Sequence, residues 1–163
     1  MNAKMPELKR CFEAAGFTDV KTVLSSGNVV FRSPSKSVSE IERKAETAMT
    51  KKLGHSFYTI VRPVDELEKL IEADPYASFD VPRDAKRVVT FLRELRKPAR
   101  SLPIEVGGAC IFGLKGREAF TAYVPGPRGP VFMTLIEQTF GSDVTTRTWE
   151  TVRKCAKALP RAN

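Results

Sequence analysis

Apolar positions along this chain recur with two periods, and each change of period marks a new element. Leu8, Cys11, Phe12 and Ala15 fall at i, i+3, i+4 and i+7, one face of a helix that Pro6 opens and Gly16 closes. Strands are expected over Lys21–Ser25 and Val29–Arg32. Gly27-Asn28 offers the positive backbone dihedrals of a two-residue hairpin loop between them. Ser37 and Glu40 form a capping box for the next helix, whose buried face is Ile41, Ala45, Ala48 and Met49 and whose end is Leu53-Gly54. Phe57–Val61 reads as a strand. Pro63 then opens a helix with Leu67, Leu70 and Ile71 inward and Asp65-Glu66 in its first turn, where the helix dipole favours acid. Asp74-Pro75 stops it, because the residue before a proline is biased out of helical geometry.

Residues 75–85 hold Pro75 and Pro82 with little periodicity, and the boundary between two halves is placed there. Arg87–Leu92 follows as a strand with the run Val88-Val89-Thr90-Phe91-Leu92. Residues 96–103 are basic and flanked by prolines, a short helix or a loop. Cys110–Leu114 and Glu118–Val124 predict a hairpin turning at Lys115-Gly116. Pro125–Pro130 cannot be regular structure. Phe132, Leu135, Ile136 and Thr139 set a helix ended by Gly141. A strand near Val144–Arg147 leads, through Thr148 as cap, to a last helix with Trp149, Val152, Ala156 and Leu159 inward. The class is α+β. Element order sets the halves side by side as two ferredoxin-like lobes of βαββαβ type, residues 1–80 and 81–163, each with an appended helix. The first lobe lacks its initial strand.

Composition adds little to this until charge is divided by position. At 163 residues with 42% hydrophobic and 28% charged residues, the chain has an ordinary globular balance. No apolar run approaches the ~20 residues of a membrane helix, and no signal peptide is expected from the N-terminus. Three separated cysteines, Cys11, Cys110 and Cys155, argue against a disulfide framework and fit a reducing cytoplasm. Residues 81–163 carry 15 Lys/Arg against 7 Asp/Glu, so the whole net charge of +8 sits in the second half. Such asymmetry hints at an anionic partner, and a solubilising surface is the plain alternative.

Few residues suggest chemistry. His55 is the only histidine, and no Cys/His cluster has metal-ligand spacing. Cys11 lies on an apolar stripe and reads as a small core residue. Gly113-Leu114-Lys115-Gly116 matches a GXXG loop but joins strands, not helices. Lys115-Gly116 with Phe120 and Tyr123 misses an RNA-stacking motif by one residue, which turns a side chain to the opposite face; Phe120 therefore reads as core. The best candidate is an anion site at two helix starts, where free N–H groups and the helix dipole favour phosphate or carboxylate: Arg128 and Gly129 before one, Arg147 and Thr148 before the other.

Four stretches, taken jointly, carry a resemblance: Lys4-Met5-Pro6-Glu7-Leu8, Gly16-Phe17-Thr18-Asp19-Val20, Ser26-Gly27-Asn28-Val29-Val30-Phe31 and Thr146-Arg147-Thr148-Trp149-Glu150-Thr151-Val152. In these the chain resembles the bacterial domain of unknown function 1697 family over nearly its whole length. The resemblance implies a two-lobed α+β fold of bacterial, cytosolic origin with no established activity. Three departures stand out. Family members open with a strand and a glycine-rich turn that precede the point where this sequence starts. The Gly-Arg-Ser-Lys run of the family is represented only by Arg128-Gly129-Pro130. Thr148 replaces the usual asparagine before the tryptophan, a mild change because both cap helices.

Three functional readings follow. The preferred one is a non-catalytic binding domain for a phosphorylated ligand or nucleic acid, acting through the basic second lobe without a cofactor. The others are an enzyme acting on a small phosphorylated or carboxylated metabolite, and an interaction module without ligand. The missing first strand adds an expectation of self-association through an exposed sheet edge of the first lobe.

Overall fold

A computed structural model describes residues 3–126 and 130–160 and confirms a mixed α+β chain with two separate sheets. Its elements form two compact units. One comprises residues 1–69 together with 153–163, and the other residues 70–152.

The first unit begins with α1 (Met5–Ala14), in which Leu8, Cys11 and Phe12 are buried as their spacing requires. Gly16, at φ +95°, turns the chain out of the helix. β1 (Thr18–Val23) and β2 (Asn28–Arg32) pair antiparallel, with Val23 opposite Asn28 and Lys21 opposite Val30. The hairpin loop is four residues long, not two, and Asn28 opens β2 instead of sitting in the turn. Its side-chain amide closes the loop by donating to Val23 O at 3.0 Å and to Ser26 Oγ at 2.9 Å. β1 also starts earlier than expected, because an irregularity between Thr18 and Lys21, with Asp19 at φ +50°, lets the strand bend there.

α2 (Val38–Leu53) starts at Ser37, whose hydroxyl accepts Glu40 N–H. The reciprocal half of the capping box is rerouted: Ser35 Oγ lies between the two, donating to the Glu40 carboxylate and accepting Ser37 N–H. Ile41, Ala45 and Met49 join Leu8, Cys11, Phe12, Phe17 and Val20 in one core. Val29 and Phe31, alternate residues of β2, pack on it from one face, and Phe31 meets Phe17 and Phe12 at ring distances of 4.5 and 5.3 Å. On the opposite face of the ribbon, Lys21 Nζ reaches Ala158 O at 3.5 Å and the Arg32 guanidinium donates to Pro160 O.

The expected strand Phe57–Val61 is not one. The segment lies against the same core through Phe57 and Val61 but joins no sheet. A ladder needs an adjacent strand, and here the Val61 N–H is instead taken by the Glu42 carboxylate at 3.0 Å. α3 (Val64–Ala73) follows and ends at Asp74, held at φ +41° before Pro75.

The second unit is built on a five-stranded antiparallel sheet of order β4-β5-β6-β3-β7, from β3 (Lys86–Leu92), β4 (Ile104–Val106), β5 (Ala109–Lys115), β6 (Glu118–Tyr123) and β7 (Val144–Thr148). β6 lies between β5 and β3, and β3 between β6 and β7. Each pair of parallel strands is therefore split by an antiparallel one, the arrangement of a ferredoxin-like sheet. α4 (Val131–Phe140) provides the β6-to-β7 crossover and covers one face with Leu135, Ile136 and Phe140 against Leu92, Ala109, Ile111 and Ala119.

The other crossover is not helical. Residues 93–103 run as irregular chain with several bends, through a cis Leu102–Pro103 peptide, into β4, a short edge strand absent from the sequence expectation. This segment is held by the end of α4: Ala99 N–H donates to Thr139 O at 2.9 Å, and the Arg96 guanidinium donates to Phe140 O. Helix-end carbonyls without intrahelical partners are thus satisfied by the crossing chain, and a cation stands at the negative end of the dipole.

The opposite face of the sheet is closed by a one-turn 3-10 helix, Pro75–Ser78, in a stretch expected to be irregular. Tyr76 is 1% exposed and contacts Phe120, Phe112 and Trp149 with ring distances of 5.9, 6.5 and 5.4 Å. Trp149 begins α5 (Trp149–Lys157), whose last five residues group with the first unit.

Candidate anion site

Arg147 stands on the edge strand β7 opposite Val89, so both point to the Tyr76 side of the sheet. Its guanidinium is engaged locally, donating to Thr145 Oγ1 at 2.6 Å and Thr146 O at 2.8 Å. Thr148 closes β7 and caps α5: its Oγ1 accepts Thr151 N–H at 3.3 Å and lies 3.0 Å from Thr151 Oγ1. The start of α5 thus has protein oxygen at one of the donors an anion would use. Arg128 and Gly129, the other half of the expected site, lie outside the described residues.

Grouping by compact unit moves the charge. Residues 1–69 with 153–163 hold 16 Lys/Arg against 9 Asp/Glu, a net of +7, and residues 70–152 hold 11 against 10, a net of +1. The two nets give the chain's +8. The shift has two parts: Arg153, Lys154, Lys157 and Arg161 group with the first unit, and the acidic Glu72, Asp74 and Asp80 group with the second. A count by position along the chain assigns the four cations to the second half; only the return of the C-terminal segment reveals their company.

Several of these cations are exposed and placed by the fold. Arg153, Lys154 and Lys157 project from α5, and Lys21 lies on the ribbon face that Ala158 and Pro160 meet. Arg32 is tied to Asp19 at 2.9 Å, with its side chain only 36% exposed. On the helical side, Lys44 Nζ stands 5.4 Å from the Phe17 ring centroid. Lys52 and Arg10 bring positive charge toward the buried Cys11, although burial outweighs them and pushes its thiol pKa up.

The aromatic residues of the second unit offer no base-stacking platform at Phe120, which is 4% exposed beneath Tyr76, as the strand register implied. Tyr76 itself is fixed: its hydroxyl lies 2.8 Å from Val88 O and 3.0 Å from Thr121 O. Burial pushes its pKa far above the ordinary tyrosine value, against the opposing pull of those contacts and of Arg87, whose guanidinium carbon is 5.7 Å from the ring centroid. Burial likewise raises the Cys110 thiol, with Glu105 adding to the effect. Among the described residues, no three His, Cys, Asp or Glu side chains are grouped to hold a metal ion, and no helix is long and apolar enough to cross a membrane.

A family model described as DUF1697, protein of unknown function, matches residues 1–115. The chain belongs to the DUF1697 family. The match takes in three of the four stretches that carry the resemblance, leaves Thr146–Val152 outside, and ends at Lys115, the last residue of β5. No curated protein and no solved structure matches the chain. The DUF1697 description assigns no activity, so the chemistry of the surface carries any functional reading.

Proposed function

We propose that the protein is a non-catalytic binding domain that holds the phosphate backbone of a nucleic acid on the basic surface of its first unit. The observation that carries this reading is the +7 net charge of that unit, with Arg153, Lys154 and Lys157 exposed on one short helix. Phosphate contacts of this kind position a chain without reading its bases.

Fluorescence anisotropy with labelled single- and double-stranded RNA and DNA tests it. Binding should be saturable and should weaken steeply between about 50 and 200 mM salt as counterions are released. Replacing Arg153, Lys154 and Lys157 together by glutamine should flatten the plot of log affinity against log salt by ~2–3 units, near 0.9 per lost phosphate contact. Arg147→Gln should leave affinity within about twofold. Absence of saturable binding overturns the reading. A loss that follows Arg147 instead of the α5 cations returns the site to the second unit.

A further inference from the structure

α5 has nine residues, and a helix that short is marginal in water by itself. It forms because both of its ends are held. At the start, Thr148 Oγ1 accepts Thr151 N–H at 3.3 Å. The buried Trp149 ring lies 5.4 Å from Tyr76, whose hydroxyl sits against carbonyls of β3 and β6. At the end, Lys21 Nζ reaches Ala158 O and the Arg32 guanidinium donates to Pro160 O. The first four residues of the helix group with the second unit and the last five with the first.

Helical order in turn sets the geometry of the charge. Arg153, Lys154 and Lys157 fall at i, i+1 and i+4, which gathers them in an arc of about 100° and ~6 Å of helix axis. Val152 and Ala156 are buried away from that arc, so it faces solvent. Extended chain would place Arg153 and Lys157 ~13 Å apart and send successive side chains to opposite sides. The helix is therefore what makes one phosphate-binding face of three cations. None of the three caps it; the residue that does is Thr148, in the second unit.

Given the nucleic-acid reading, on which this rests, we infer that Thr148 is a positioning residue for phosphate binding: its cap keeps the start of α5 ordered and so presents Arg153, Lys154 and Lys157 together. Chain in which α5 has frayed binds less, and the apparent affinity falls with the ordered fraction. The complex itself keeps the same phosphate contacts, because every cation is intact. Loss of the cap thus lowers affinity at each salt concentration without changing the salt slope, whereas loss of a cation changes both. Linkage makes the effect reciprocal: nucleic acid held by the cations tightens the helix start.

The test uses the intact chain with labelled single- and double-stranded RNA and DNA across a range of salt. Thr148→Ala should weaken binding by about 3- to 10-fold with the slope of log affinity against log salt unchanged. Thr148→Asn keeps a capping oxygen and should restore affinity to within about twofold. In the unsubstituted chain, saturating nucleic acid should slow amide exchange at Thr151 and Val152, which carry no charge, by several-fold. That measurement needs no variant to fold. Four results overturn the inference: Thr148→Ala binding as tightly as the unsubstituted chain, alanine and asparagine weakening it equally, a slope that falls along with affinity, or exchange at Thr151 and Val152 indifferent to the nucleic acid. Absence of saturable binding by the unsubstituted chain overturns the nucleic-acid reading and this inference together. Saturable binding with any of those four results overturns this inference alone.

Discussion

The Glu42 carboxylate, on a residue 3% exposed, accepts the backbone N–H of Val61 at 3.0 Å. A side chain from the second turn of α2 thereby fastens a segment that no strand fastens. Removing one partner from a buried hydrogen bond leaves the other without compensation, which costs about 1–3 kcal/mol. Glu42→Ala should therefore lower stability by that amount in urea denaturation. It should also speed exchange of the Val61 amide far more than that of amides in β3. Glu42→Gln keeps an acceptor oxygen and should recover much of the loss. Equal effects of the two substitutions would show that the carboxylate holds this segment by something other than accepting that N–H.

Tyr76 anchors the second unit in two separable ways. Its ring fills the space between Phe120, Phe112 and Trp149, and its hydroxyl bonds the carbonyls of adjacent strands β3 and β6. Tyr76→Phe removes only the hydroxyl and should cost about 1 kcal/mol. Tyr76→Ala also opens a cavity and should cost about 3–5 kcal/mol. Trp149 is the only tryptophan and stacks edge-on against Tyr76, so its fluorescence reports the unfolding directly. If the two variants are equally destabilised, the ring contributes nothing beyond its hydroxyl.

Local rules recovered most of the elements because their signals are contained within a few residues. The 3.6 period of Leu8, Cys11 and Phe12, the serine cap before α2, and the apolar run Val88–Leu92 all match what formed. Phe57–Val61 misled because its β propensity is genuine, while a strand exists only when a neighbour pairs with it. Tyr76 was missed because a 3-10 turn bounded by proline has no period to detect, and its value lies in a sheet formed by residues far along the chain. The regrouping of charge by compact unit is equally invisible to a count along the chain. Arg153, Lys154 and Lys157 are distant in sequence from Lys21 and Arg32, and contacts from Ala158 and Pro160 bring their segment to the β1-β2 ribbon.

Thr148 ends β7 and caps α5 at once, so its replacement probes the start of the helix that carries the proposed basic surface. Thr148→Ala removes the acceptor for Thr151 N–H and should destabilise by ~0.5–2 kcal/mol. Thr148→Asn preserves a capping oxygen and should stay within a few tenths of a kcal/mol of the original. Helicity at Thr151 and Val152, read from carbon chemical shifts, should fall in the alanine variant alone. A capping role is excluded if alanine and asparagine behave alike.

Stability should decline in alkali, in two stages with different owners. Burial raises the pKa of Cys11, Cys110 and Tyr76 above their ordinary values. In each case the folded chain keeps a proton that the unfolded chain releases, so the unfolded state binds fewer protons and stability falls as pH rises. Below about pH 8 all three groups are protonated in both states and their contribution is complete. The first decline should begin near pH 8.5, where unfolded thiols ionise, and a steeper one near pH 10, where unfolded tyrosine does. Urea midpoints measured from pH 7 to 11 follow both stages through Trp149 fluorescence and circular dichroism. Tyr76→Phe should remove its share of the second stage without altering the first, and native-state absorbance should show Tyr76 still protonated at about pH 10. Midpoints unchanged through pH 10.5, or a second stage of full size in Tyr76→Phe, would assign the alkaline loss to other groups.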